Sequence, residues 1–96
     1  MTYFQFIHAV ETKVKKEVEG EKTVSIHTNV KNNGVRRSGI MISEKGINIS
    51  PTIYLEEYFH QFRMGYPLEQ IAKDIVGLYE KIRFQIHGRT VKGKRL

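Results

Sequence analysis

The chain reads as α+β, in the order α-β-β-β-α-α: a three-stranded antiparallel meander with helices packed on one face. Three observations predict this. Apolar residues recur at three- and four-residue steps near both ends. Between them, residues 22–31 alternate in polarity with the period of a half-buried strand. Short turns rich in Asn and Gly then separate successive apolar runs.

Residues 3–18 form the first predicted helix. Tyr3, Ile7, Val10, Val14 and Val18 share one face, which Phe6 widens, while Glu11, Lys13, Lys15, Lys16 and Glu17 fall mostly opposite. Thr2 is the expected N-cap and Gly20 the stop. In the first strand Val24, Ile26, Thr28 and Val30 point one way, and Thr23, Ser25, His27 and Asn29 the other. Asn32-Asn33-Gly34 signals a tight hairpin, because Asn and Gly accept positive φ. The second strand covers 35–43, with Ile40 and Ile42 on one face and Gly39 marking a bulge. After the Glu44-Lys45-Gly46 turn, Ile47, Ile49 and Ile53 belong to a third strand. Pro51, which lacks an N–H, interrupts that strand or confines it to an edge.

Leu55 to Met64 reads as a short helix with Leu55, Tyr58, Phe59 and Phe62 on one side and Gly65 as its stop. Pro67 precedes the last helix, whose stripe is Leu68, Ile71, Ile75, Leu78, Tyr79 and Ile82 and which fades near Phe84. The expected core is Phe6, Val10, Val14, Ile26, Ile42, Phe59, Ile71, Ile75 and Leu78.

Ninety-six residues make one domain with one modest core. It is expected over 1–86, followed by a basic tail over 87–96. The net charge is +6, from 16 basic and 10 acidic residues. From Gln85 onward the chain holds Arg89, Lys92, Lys94 and Arg95 and no acid. Setting those four aside leaves 12 bases against 10 acids, so the basic character is concentrated at the end. Such a segment can bind nucleic acid or an acidic protein surface, or simply stay solvated. There are no cysteines, hence no disulfides or thiolate metal sites. The N-terminus does not have the pattern of a secretory signal, and no apolar run is long enough for a bilayer. A cytoplasmic protein is the expectation, with no membrane partner and no small-molecule substrate evident.

Lys31-Asn32-Asn33-Gly34-Val35, Gly39-Ile40, Ile49-Ser50-Pro51-Thr52-Ile53-Tyr54-Leu55-Glu56, and the aromatic helix ending at Gly65 before Leu68-Glu69-Gln70-Ile71 together carry a family likeness. With the opening helix they span roughly residues 3–83. The chain resembles the amino-terminal part of an uncharacterised family from clostridia and related Firmicutes that carries a domain-of-unknown-function label. Members of that family continue well beyond this length, which implies either a truncated paralogue carried on a mobile element or a fragment. The resemblance implies no activity, cofactor or site residue.

The candidate chemistry is sparse. His8, His27, His60 and His87 fall on four different elements and lack helical metal-site spacing, so solvated histidines outrank a zinc site. Glu56 and Glu57 are adjacent on a helix, about 100° apart, and suit the helix dipole better than acid–base catalysis. Ser50 and Thr52 have no glycine elbow or base partner and are expected to satisfy backbone groups. Lys31, Arg36 and Arg37 flank the hairpin and Lys45 sits at the next turn, where they make either a binding patch or a solvated set. Tyr54, Tyr58, Phe59, Phe62 and Tyr66 are dense enough to stack on bases, although helical spacing favours core, with Tyr54 and Tyr66 left on the surface.

The expected protein is therefore not an enzyme, and needs no cofactor or metal. It is a small regulatory or inhibitory module that binds another macromolecule, for example a protein of a bacterial defence or nucleic-acid-processing system. Its partner-binding residues are Lys31, Arg36, Arg37, Lys45, Tyr54, Tyr66, Arg89, Lys92, Lys94 and Arg95. The alternative is a nucleic-acid-binding module using the tail and hairpin loops. The α-β-β-β-α order is that of double-stranded-RNA-binding domains, but those place lysines at the start of the final helix. Here that helix begins Pro67-Leu68-Glu69-Gln70, with no lysine until Lys73.

Overall fold

A computed structural model describes the backbone of residues 1–18, 22–46 and 50–95, and their side chains except 29, 30, 32 and 86–95. Six elements follow in order: α1 (Tyr3–Glu17), β1 (Lys22–Asn32), β2 (Val35–Glu44), β3 (Thr52–Tyr54), α2 (Glu56–Arg63) and α3 (Leu68–Arg95). The sheet runs β1-β2-β3 with both pairings antiparallel, as the meander requires.

α1 starts where its cap dictates. The Gln5 N–H donates to the Thr2 hydroxyl and the Thr2 N–H donates to Gln5 Oε1, at 3.2 and 3.0 Å. This reciprocal box satisfies two otherwise orphaned donors. Asn33 and Gly34 both take positive φ, 53° and 79°, giving a two-residue hairpin that matches strand twist. Gly65 closes α2 at φ 104°.

The core lies between one sheet face and the helices. α1 contributes Phe6, Ile7, Val10 and Val14; the sheet and the start of α2 contribute Val24, Ile40, Ile42, Ile53 and Leu55; α3 contributes Ile71, Ala72, Ile75 and Tyr79. Phe59 and Phe62 cover its end, with ring centroids 5.1 and 5.3 Å from Phe6.

Several expectations need correction. Leu78 is 38% exposed, whereas Tyr79 is 2% exposed. Steps of four from Ile71 through Ile75 to Tyr79 make the buried line of α3, and Leu78 sits on its flank. Ile26 and Phe59 pack against the core but are only partly buried. The bulge is not at Gly39: it lies in β1, between His27 paired with Gly39 and Val30 paired with Arg37. The alternation predicted from Val24 to Val30 is therefore interrupted. Gly39 serves close packing instead, since a Cβ there would stand 2.5 Å from Thr52 Cγ2. α3 runs past Phe84 to Arg95 because neither Gly88 nor Gly93 breaks a helix as proline would. Ile47 and Ile49 lie outside the described residues, and the strand containing Ile53 spans Thr52–Tyr54.

Candidate interaction surface

The β1–β2 hairpin carries the first cluster. Register places Lys31 directly opposite Arg36, and both side chains are exposed. Like charges facing each other across a ladder repel, so the pair is not there to hold the hairpin together. One residue on, the Arg37 guanidinium lies over the Tyr54 ring, 5.3 Å from its centroid. This cation–π contact brings two of the sequence candidates together, from neighbouring strands.

Other candidates lie apart. Lys45 is exposed in the turn at the far end of β2, about 30 Å from Arg36 at strand rise. Tyr66 follows α2, where its hydroxyl donates to Asp74 Oδ2 at 2.8 Å. That bond, then burial, raises its phenol pKa. Arg89, Lys92, Lys94 and Arg95 fall on the last turns of α3, and their side chains lie outside the described residues.

Two carboxylates tie the helices to β2, one of them beside this surface. Glu56, at the first turn of α2, accepts through Oε2 from the Tyr3 hydroxyl at 2.6 Å and the Ser38 N–H at 2.9 Å. Ser38 is the β2 residue at the bulge, and its carbonyl accepts from the Leu55 N–H at 3.0 Å. Glu56 Oε1 is buried with no donor among the described residues. Burial, followed by the bond to Glu56, pushes the Tyr3 phenol up to about 12. At the end of β2, Glu44 accepts from the Tyr79 hydroxyl at 3.1 Å and from the Arg83 fork through Nε and Nη2. The Arg83 fork holds the Glu44 carboxyl below its ordinary range.

A groove of about 360 Å³ runs beside β3, between the strand, α2 and α3. Ile53, Leu78 and Ile82 supply apolar lining; Arg37 and Tyr54 stand on the strand side, and Glu57 and Tyr58 on the α2 side. The sequence marked Arg37 and Tyr54 but not the groove, because exposed Leu78 reads as core in the helical pattern.

The remaining candidates take structural or solvated roles. His8 lies edge-on to Phe4 at 4.5 Å and near Glu11, while His27 shares a 3.0 Å bond with Ser25. Among the described residues, no group of three or more His, Cys, Asp or Glu could hold a metal ion. The Ser50 hydroxyl donates to Ser43 Oγ at 2.9 Å, a side chain where a backbone partner was expected. No helix among the described residues is long and apolar enough to cross a membrane.

The comparisons add a family without a function. A model of a family of unknown function, DUF5688, matches residues 3–92, and the chain belongs to that family. No curated protein and no solved structure matches.

Proposed function

We propose that this member of DUF5688 is a non-enzymatic module that regulates or inhibits another protein by binding an acidic patch on its surface. The observation that supports it best is the exposed Lys31–Arg36 cross-strand pair beside the Arg37–Tyr54 stack. Three cations and an aromatic ring from three strands cluster at this end of the sheet, Lys31 and Arg36 on one face and Arg37 with the Tyr54 ring on the other, at a cost in hairpin stability that binding an anionic surface offsets. A protein of a bacterial defence or nucleic-acid-processing system, in the clostridial setting the resemblance implies, is the partner class this reading takes.

Nucleic-acid binding is the second reading, favoured by the bases at the end of α3. Against the double-stranded-RNA mode stands the start of α3. Glu69 occupies its first turn and pairs with Lys13 of α1 at 3.6 Å, where that mode needs free lysines.

The test is binding of the full chain to an acidic polypeptide and to duplex RNA and single-stranded DNA, at roughly 50 and 200 mM salt. The protein reading expects the acidic polypeptide to bind, and a Lys31→Gln, Arg36→Gln double variant to lose that binding while melting at or above the parent. Tight binding of nucleic acid alone, weakening steeply with salt, would replace it with the second reading.

A further inference from the structure

The backbone of β3 has one side paired and one side without a strand partner among the described residues. The Leu55 N–H donates to the Ser38 carbonyl, which makes Ser38–Leu55 a hydrogen-bonded pair. Antiparallel ladders alternate, so Ile40–Ile53 is hydrogen-bonded as well, and Gly39–Tyr54 and Met41–Thr52 are not. The N–H and C=O groups of Thr52 and Tyr54 therefore point away from β2. No other strand among the described residues pairs with them, because β3 is the edge of the sheet.

The groove lies along this edge. Its inner side offers Ile53 from the strand and Leu78 and Ile82 from α3; Leu78 remains 38% exposed. Its outer side offers the Arg37 guanidinium on the Tyr54 ring. Arg37 forms no carboxylate ion pair among the described residues. A free strand edge, an apolar wall and a cation on the opposite face are the elements of recognition by strand addition. The other sheet edge, β1, is broken by its bulge and is a poorer template.

We infer that the groove receives an extended segment of a partner protein, which adds as a fourth strand on β3. Alternation in the added strand fixes the chemistry of that segment. Residues facing inward meet Leu78 and Ile82 and are aliphatic. The outward residue beside Tyr54 meets Arg37 and is acidic. Glu57, on the α2 side, repels an acid placed one position out of register, so it selects the frame. The inference rests on the protein-binding reading, and gives that partner a second contact next to the hairpin.

The test selects from a displayed library of random peptides against the full chain, then titrates an enriched peptide into isotope-labelled protein. Enriched sequences are expected to alternate aliphatic residues with an acid. The Thr52 and Tyr54 amides are expected to shift and to gain protection from exchange. Leu78→Glu changes an exposed residue, and with an unchanged melt it should weaken the peptide roughly tenfold or more. Arg37→Gln should weaken acidic peptides selectively. Thr52→Pro removes one outward N–H and should act like Leu78→Glu if it folds; Leu78→Glu decides the matter if it does not. Peptides that move only Lys31 and Arg36 overturn the groove and leave the protein-binding reading standing. A library that enriches nothing overturns the groove together with the protein-binding reading.

Discussion

Two carboxylates, each bonded by a tyrosine hydroxyl, join helices to β2 at separate points along it, and they solve the same problem differently. At one point the Tyr3 hydroxyl meets Glu56, whose other donor is the Ser38 N–H. At the other the Tyr79 hydroxyl meets Glu44, whose other donor is the Arg83 guanidinium. Glu44 thus has a full opposite charge and both oxygens occupied. Among the described residues Glu56 is held by dipoles alone, and its Oε1 has no donor. A carboxylate balanced by a nearby cation responds to salt and acid. One balanced by a hydroxyl and a backbone N–H is tied to the geometry of the strand that supplies them. The Glu56 point is also where the candidate surface lies, so strand geometry and binding surface are mechanically joined there.

The largest effect expected is at Tyr79, which is 2% exposed and supplies both core area and the bond to Glu44. Tyr79→Ala should cost about 3–5 kcal/mol in a denaturant melt, as large-to-small changes in cores do. Tyr3→Ala should cost less, because Tyr3 only flanks the core; the reverse ranking would break the comparison. Leu78→Ala should be milder than Tyr79→Ala for the same reason.

Next comes Glu56→Ala. It strands the Ser38 N–H at the bulge and should cost about 1–3 kcal/mol. Glu44→Ala, at a more open site, should cost less. Equal losses would mean that the two points are equivalent.

The pH response separates the tyrosines and the carboxylates. Unfolded tyrosine ionises near 10, and the folded Tyr3 phenol near 12. As pH rises through that window, the unfolded state gives up a proton that the folded state keeps, so stability falls. Tyr3→Phe should make the alkaline limb shallower between those values. For Glu44 the sign is opposite. Its folded carboxyl is held low by Arg83, so its contribution is present above the unfolded value and is lost on acidification. Glu44→Gln should flatten the acid limb of the stability curve, and it should soften the alkaline limb as well, because the Tyr79 phenol is raised by burial and then by its bond to Glu44.

The smallest effect is that of salt. The Glu44–Arg83 pair is exposed enough to be screened, so the cost of Glu44→Gln should shrink as salt is added. The cost of Glu56→Ala should hardly change.

The element order, the Thr2 cap and the Asn33-Gly34 turn were legible in the sequence, because each depends on neighbours within a few residues. The strand period likewise revealed Val24 and Ile42. The helix face was harder. Ile75 is followed three and four residues later by Leu78 and Tyr79, both apolar, and only the crossing of α3 over the sheet decides which is buried. Glu56 shows the limit best. Its position at a helix start suggested a dipole role, yet its partners lie 18 and 53 residues away in the chain. No local pattern carries that information. Arg37 and Tyr54 could be marked as surface residues, but their stacking required the β2–β3 register.

The bulge in β1 carries a consequence for chain length. Counted back from the Asn32–Val35 pair, an unbroken ladder would set Val24 opposite Ser43 and Ile26 opposite Met41. The observed pairs are Val24–Ile42 and Ile26–Ile40. The turn and the core therefore demand frames that differ by one residue, and the extra residue between His27 and Val30 reconciles them. Loss of Thr28 or Asn29 would leave the turn and the core pairs in agreement, with a straighter ribbon between them. Loss of one residue from 23–26 would instead set the core pairs against the turn. Single-residue length variation in this strand is thus tolerable at the bulge, and in evolving relatives it should collect there.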